Sequence, residues 1–379
     1  MLTGRFQPPS RQAVFYGKPA AEALREAMKE FWVTTAVLVT NTSLSRPGGL
    51  ADEIVAAMGD ACTNVVSGVR ANSPREDVIR IAEALRSKGV EAVVALGGGS
   101  VVEAVKAARI SVTNNVRDAA DMDRLKRTTT AATPRPYLIS LPTTLSAAEF
   151  TQFAGITDER SGVKDAFHHP DLAPDAVILD PEVTIATPPD LWLSTGMRAL
   201  DHAIETWCAK SPTPFSDATA LYAARKLARA LPRTKSDPED REARLDCQIG
   251  AWMSIQGATV GVSHGASHGI GHGLSAVTGM THGVTSCIML PHVLRYNAAV
   301  DAQRQAVLAE AMGSGGRLLA DFVSDLVRDL GMPTRLRDAG VREEQLATVA
   351  DAAMRNPRVA TNIRPFDENG MMQLLGAAY

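Results

Sequence analysis

Five of the eight histidines in this 379-residue chain fall in one run, SHGASHGIGHGLSAVTGMTHGVTSCIMLPH, at His264, His268, His272, His282 and His292. Residues four apart share a helix face, so His264, His268 and His272 form a stripe of imidazoles. Neutral imidazole nitrogen ligates zinc or iron, and an imidazole that titrates near neutrality moves protons. Gly265, Gly269, Gly271 and Gly273 interleave the stripe. Glycine weakens a helix, and it makes most sense where a ligand or a second backbone approaches closely. The helical stretch over 194–205, STGMRALDHAIE, contributes His202. With His268 and His282 it could offer a metal three imidazoles from two or three elements, a set that lacks a carboxylate.

A second stretch points to phosphate. Residues 93–100, VVALGGGS, read as a buried strand running into Gly97, Gly98, Gly99 and Ser100 and then into a helix. Backbone N–H groups at such a turn, with the helix dipole behind them, make a pocket for pyrophosphate, and side chains would obstruct it. The bland reading is a tight turn that needs glycine for steric reasons alone. Residues 142–146, PTTLS, end another strand, where Thr143, Thr144 and Ser146 offer hydroxyls to phosphate or ribose, or form an ordinary polar turn. The strand over 34–40 is followed by Asn41, where NAD enzymes often carry a ribose-reading carboxylate. Without that negative charge a 2′-phosphate is not repelled, so NADP stays open beside NAD.

The elements that position these groups alternate in the first half. Strands are expected at 13–16, 34–40, 92–96, 137–141 and 176–179, with amphipathic helices at 20–31 and 75–88, the rhythm of a helix-covered parallel sheet. Residues 127–136, RTTTAATPRP, read as a polar loop. Past 184–189 the strand signals give way to successive helices at 194–208, 217–230, 239–260, 284–297, 301–312, 316–330, 342–354 and 368–378. The expectation is an α/β Rossmann-like domain over 1–183 and an all-α domain over 184–379. A net charge of -3 gives no support to nucleic-acid or membrane-surface binding. Four scattered cysteines indicate neither a zinc knuckle nor a disulfide framework. No signal peptide or transmembrane-length run is read, and the expected location is cytoplasmic.

Taken together, Gly97-Gly98-Gly99-Ser100, Pro142-Thr143-Thr144, the helix over 196–205, His268, His272, His282-Gly283, Leu290-Pro291-His292 and Asn362-Ile363-Arg364-Pro365 resemble the iron-containing alcohol dehydrogenase superfamily. That resemblance spans nearly the whole chain and implies a fold shared with dehydroquinate synthase. Residues 142–151, PTTLSAAEFT, are most similar to the PTTYAGSEMT pattern of maleylacetate reductases, and 155–158 and 162–164 also fit. The similarity implies NAD(P)H-dependent reduction, in that subfamily of the double bond of maleylacetate to give 3-oxoadipate. It implies that His272 lies near nicotinamide and substrate and can deliver a proton. Lys164 resembles a cofactor contact, or is a solvated lysine, and His264 and His292 are supporting groups.

One position departs from the pattern. Metal-dependent members carry an aspartate one helical turn before the first histidine ligand, and here that position is Arg198. At an effective dielectric near 20, two like charges ~4 Å apart repel by roughly 4 kcal/mol, and a divalent ion doubles this. Asp201 points about 100° away from His202 on a helical wheel and is a poor substitute. Either Arg198 turns outward while His202, His268 and His282 hold iron or zinc, or the metal is gone and Arg198 grips a substrate carboxylate. A surface arginine is the bland alternative. Arg198, His202 and His272 are the catalytic candidates. The expected activity is NAD(P)H-dependent reduction of a carboxylated unsaturated or oxo compound. The competitors are a metal-dependent alcohol dehydrogenase or aldehyde reductase, a dehydroquinate synthase-like lyase and a non-catalytic nucleotide-binding relative. The expected partner is a small-molecule substrate, and the expected assembly a homodimer.

Overall fold

Valine and leucine runs long enough to bury a strand on both faces dictate the first half of the molecule. The computed structural model describes residues 12–126 and 133–379, so positions 127–132 of the expected polar loop lie outside the described residues. The chain divides into two compact units at Ala186/Thr187. The first contains β1 (Ala13–Tyr16), α1 (Ala20–Glu30), β2 (Ala36–Thr40), α2 (Leu50–Met58), β3 (Cys62–Val66), α3 (Arg75–Leu85), β4 (Ala92–Gly97), α4 (Gly99–Thr113), β5 (Tyr137–Pro142), β6 (Phe153–Asp158), β7 (Val163–His168) and β8 (Ala176–Leu179). Six strands form one parallel sheet in the order β1-β8-β5-β4-β2-β3, and β6 and β7 pair as a separate antiparallel hairpin.

Every residue of β2 and β4 is buried, and alternate side chains feed two cores. Val37, Val39, Val93 and Ala95 pack with α3, α4 and the hairpin, while Leu38, Val94 and Leu96 pack with α1 and α2. Helices on both faces leave the sheet only its edges and strand ends for a ligand. The register places Thr40 opposite Leu96 and Gly97 opposite Pro142, so the segments following β2, β4 and β5 emerge along one edge.

The second unit is helical: α5 (Pro189–Trp207), α6 (Pro214–Ser236), α7 (Arg241–Ser254), α8 (Gln256–Thr259), α9 (Ala266–Thr278), α10 (His282–Met312), α11 (Leu319–Asp329), α12 (Leu346–Met354), α13 (Pro357–Ala360) and α14 (Glu368–Ala378). Helix α10 runs through the expected gap between 297 and 301, bending at Asp301, whose backbone leaves the helical region. From Gly196 to Trp207 every residue of α5 is buried. A helix buried all round is normally apolar, yet this segment carries four titratable residues. No helix among the described residues is long and apolar enough to cross a membrane.

Candidate active site

Arg198, Asp201, His202 and Glu205 stand at i, i+3, i+4 and i+7 of α5, which makes one polar stripe. Buried ionisable groups persist only when other groups meet their charges and hydrogen bonds. Glu205 accepts backbone N–H bonds from Gly265 (2.9 Å), Ser267 (2.7 Å) and His268 (3.3 Å), and thereby caps the start of α9 from a different helix. It also pairs with His268 Nδ1 at 2.7 Å. Burial, then the charge of Asp201, pushes the Glu205 carboxyl above its usual range.

Asp201 Oδ2 accepts from Ser267 Oγ at 2.8 Å and Ser286 Oγ at 2.6 Å, tying α5 to both α9 and α10. Arg198 Nη1 donates to the same Ser286 oxygen at 3.0 Å and lies 3.6 Å from Asp201 Oδ2. Arg198 is therefore neither outward-facing nor a surface residue: it is 8% exposed. Burial pulls its guanidinium down to about 10, still protonated at neutral pH. Asp201, which the helical wheel set aside, is the counter-ion of Arg198.

Three imidazoles pack beside this network. Ring centroids lie 5.2 Å apart for His202 and His264, 4.9 Å for His202 and His268, and 4.1 Å for His264 and His268. Burial holds all three well below the usual imidazole range, and the charges of Arg198 and Arg358 add to it. His202 Nδ1, His264 Nε2 and His268 Nε2 are buried and have no hydrogen-bond partner. His282 stands instead with His272, ring centroids 5.1 Å apart, and its Nδ1 lies 2.9 Å from Ser275 Oγ. Asn356 Nδ2 lies 3.3 Å from His272 Nδ1, and Arg358 Nη1 lies 3.2 Å from each His272 ring nitrogen. His292 is part-buried on α10, held down to about 4 by burial and then by Arg295.

The residues present do not fit a divalent ion. His202 and His268 come together but His282 is turned to another cluster, and a buried guanidinium occupies the stripe. Around these helices the ligand atoms that converge to within 4.8 Å belong to Asp201, Glu205 and His268. Their facing atoms are already engaged: Asp201 Oδ2 by two hydroxyls, Glu205 Oε2 by the Gly265 N–H and by His268 Nδ1.

The interleaving glycines serve backbone approach within the protein. A Cβ on Gly269 would lie 2.9 Å from the Val359 nitrogen, and one on Gly265 would lie 2.9 Å from Asn362 Oδ1 and 3.1 Å from Glu205 Oε1.

In the first unit, Gly97 adopts φ +153° and Gly98 precedes α4 with no side chain capping the helix. The N–H groups of that first turn are therefore available to an anion. A Cβ on Gly98 would meet Thr144 Cγ2 at 2.9 Å, and one on Gly99 would meet Ser146 Oγ at 2.8 Å, so the glycine turn and the 143–146 turn fit only without side chains. Thr143 N–H donates to Gly97 O at 3.1 Å, and Thr144 Oγ1 is buried without a partner. Ser100 Oγ accepts from Asn72 N–H at 3.0 Å. Asn41 Oδ1 accepts from Ser43 Oγ (2.9 Å) and Leu44 N–H (3.1 Å), closing its own turn. Lys164, on β7, pairs with Glu103 Oε2 at 3.1 Å, and Glu103 Oε1 accepts from Gly155 N–H at 3.1 Å. An uncapped helix start, a close-fitting glycine turn and an orphaned hydroxyl fit a dinucleotide phosphate.

Sequence reasoning passed over Glu205, Ser267, Ser286 and Arg358. Glu205 was readable, since it completes the α5 stripe. The serines and Arg358 reach the site through packing between distant segments and leave no local signal.

The chain has relatives along its whole length. Residues 11–181 match the family model described as iron-containing alcohol dehydrogenase, and residues 192–379 match the C-terminal model of the Fe-containing alcohol dehydrogenase family. It is 32% identical to dehydrogenase FUM7 of Gibberella moniliformis over 97% of this chain and 96% of that one. The crystal structure of sulfoacetaldehyde reductase from Bifidobacterium kashiwanohense in complex with NAD+ is similar at 26% identity and a TM-score of 0.89, covering 100% of this chain and 99% of that one. Maleylacetate reductase from Rhizobium sp. strain MTP-10005 is similar at 26% identity and a TM-score of 0.82, covering 97% of this chain and 96% of that one.

Proposed function

Because the chain belongs to the iron-containing alcohol dehydrogenase family, we propose that it is an NAD(P)H-dependent reductase of a small unsaturated or oxo compound carrying a carboxylate, such as maleylacetate. The observation that carries this reading is Arg198, a protonated guanidinium 8% exposed beside three neutral imidazoles. A fixed cation there binds an anion, and a carboxylate matches its planar edge in a bidentate pair. Two relatives act, by their names, on anionic carbonyl compounds, maleylacetate and sulfoacetaldehyde. The dehydrogenase and reductase names of the relatives set the lyase reading aside.

When bound, the reduced nicotinamide supplies hydride. The Gly97 to Ser100 turn and Thr144 would hold its phosphates, with Thr143, Ser146 and Asn41 on the same edge of the sheet and Lys164 on the hairpin, paired with Glu103 of α4. Arg198 orients the substrate and stabilises negative charge that grows on its oxygen as reduction proceeds. His272 delivers the proton that completes the reaction. His202 and His268 bring buried nitrogens without partners, and Glu205 fixes the orientation of the His268 ring. No step draws on a metal ion.

The test is oxidation of NADH and of NADPH against maleylacetate, keto acids, enoates and uncharged aldehydes, with metal analysis of protein purified without chelator. Charged hydrogen bonds of ~1.5–3 kcal/mol predict that carboxylated acceptors exceed uncharged ones of equal length by about 100-fold in kcat/KM. Preference for uncharged aldehydes by a protein holding one iron or zinc per chain would sink this proposal and favour a metal-dependent alcohol dehydrogenase.

A further inference from the structure

The second guanidinium of the imidazole site has no anion of its own. Arg358 is placed by α13, whose first turn starts with Pro357 and is capped by Asn356 Oδ1 accepting the Arg358 N–H at 3.0 Å. Among the described residues no carboxylate forms an ion pair with its side chain. Glu205, the acid whose charge reaches it, is committed to the start of α9 and to His268. Arg198 and Arg358 meet neighbouring positions of α9: Arg198 Nη1 lies 3.9 Å from where a side chain on Gly271 would begin, and Arg358 lies against His272. Both act on the same three imidazoles. Hydrogen bonds among the described residues engage only Nη1 of each guanidinium, leaving Nε and Nη2, the edge that takes a carboxylate in a bidentate pair.

Resting on the proposed role of Arg198, we infer that Arg358 is a second anchor and that the two arginines select a substrate bearing two carboxylates, one for each guanidinium. Asp201 pairs with Arg198 at 3.6 Å, whereas Arg358 has the more distant charge of Glu205 and, among the described residues, no carboxylate paired with it. A monocarboxylate leaves one cation uncompensated, and a dicarboxylate leaves none. Arg358 is thus a specificity-determining residue.

Calorimetric titration of the full chain, with and without NADH, separates the possibilities. Succinate, glutarate and adipate are compared with butyrate, valerate and hexanoate on wild type, Arg198→Gln, Arg358→Gln and Arg358→Lys. One charge-assisted contact predicts that the best dicarboxylate binds wild type about 10-fold or more tighter than its monocarboxylate match. Arg358→Gln should bring that ratio below about 3, with Arg358→Lys between, while Arg198→Gln weakens both ligand classes by about 10-fold. A ratio unchanged in Arg358→Gln, with both classes weakened in Arg198→Gln, overturns this inference and leaves the carboxylate reading standing. Affinities unchanged in Arg198→Gln, or no binding to wild type, overturn both. Should Arg358→Gln fail to fold, an undiminished ratio in Arg358→Lys is the overturning result.

Discussion

Among the described residues two clusters contain three potential metal ligands each, and they behave in opposite ways. In the first unit, Asp123, Asp158 and Asp165 surround Arg75, whose Nη2 lies 2.7 Å from both Asp123 and Asp165 and whose Nη1 lies 3.4 Å from Asp158 and 2.8 Å from the Ala119 carbonyl. Lys126 and Arg160 add further pairs. Both ends of that guanidinium are taken. In the second unit, Asp201, Glu205 and His268 sit beside Arg198 and Arg358, whose Nε and Nη2 edges are open and whose neighbouring imidazoles hold nitrogens without partners. The first cluster leaves a single buried atom unmatched, Arg75 Nε, and its charges answer one another; the second leaves a nitrogen on each of three imidazoles and Asp201 Oδ1 unmatched, and is built for something absent.

Exchanging the roles of the two arginines is the strongest way to break this contrast. Arg75→Gln removes the one buried cation of this network, leaving Asp158 only Arg160 and Asp165 only Lys126, and should cost about 3 kcal/mol of stability. Thermal and urea unfolding read that loss, and kcat/KM of the folded fraction should hold. Arg198→Gln should do the reverse. Losing a preorganised cation costs about 100- to 1000-fold in kcat/KM on carboxylated acceptors. Stability should fall by only about 1 kcal/mol, because Asp201 keeps two hydroxyl donors. If Arg198→Gln proved the less stable and the more active of the pair, the assignment of the clusters would be backwards.

Acid separates them next. His202, His264 and His268 are held neutral in the folded protein, while each takes a proton below about pH 6.5 when unfolded. Their contribution is present above that value and is lost as pH falls toward their depressed folded values. Asp158 is held down to about 2, mainly by the Arg160 guanidinium, so its contribution is present above about 4 and is lost only as pH falls from there toward 2. Hydrogen exchange should therefore show α9 loosening at a higher pH than the β6–β7 hairpin, and His264→Asn should flatten the α9 response by about one proton. Loosening of both at the same pH would erase the distinction. The smallest expected effect is that of chelation: dialysis against EDTA should leave activity and melting temperature within error.

Much of the scaffold was legible because its signals are local. The bounds of β1, β8 and α14 follow directly from apolar runs and caps, and the buried runs of β2, β4 and β5 declare a two-sided sheet. β3 escaped because it is an edge strand, CTNVV, with three exposed residues at its centre. β6 and β7 escaped because charges interrupt their alternation, FAGITD against VKDAFH. In the site, the spacing that brings His264 beside His268 was visible in the residue pattern, and the anomaly of Arg198 in the family resemblance; His272, expected on the same stripe, stands with His282 and Arg358. The direction of His282 was not visible, since side-chain rotation and helix packing decide it, nor was Arg358, which reaches His272 from a segment far along the chain.

The sealed environment of α5 has a consequence for altering this protein. A charge placed on or removed from its stripe between Gly196 and Trp207 has no solvent to turn to. Arg198 and Asp201 are mutually dependent, as are Glu205 and the start of α9. Retuning the pocket toward other acceptors is therefore better served by paired replacements, opposite in sign and one turn apart, than by varying one position at a time.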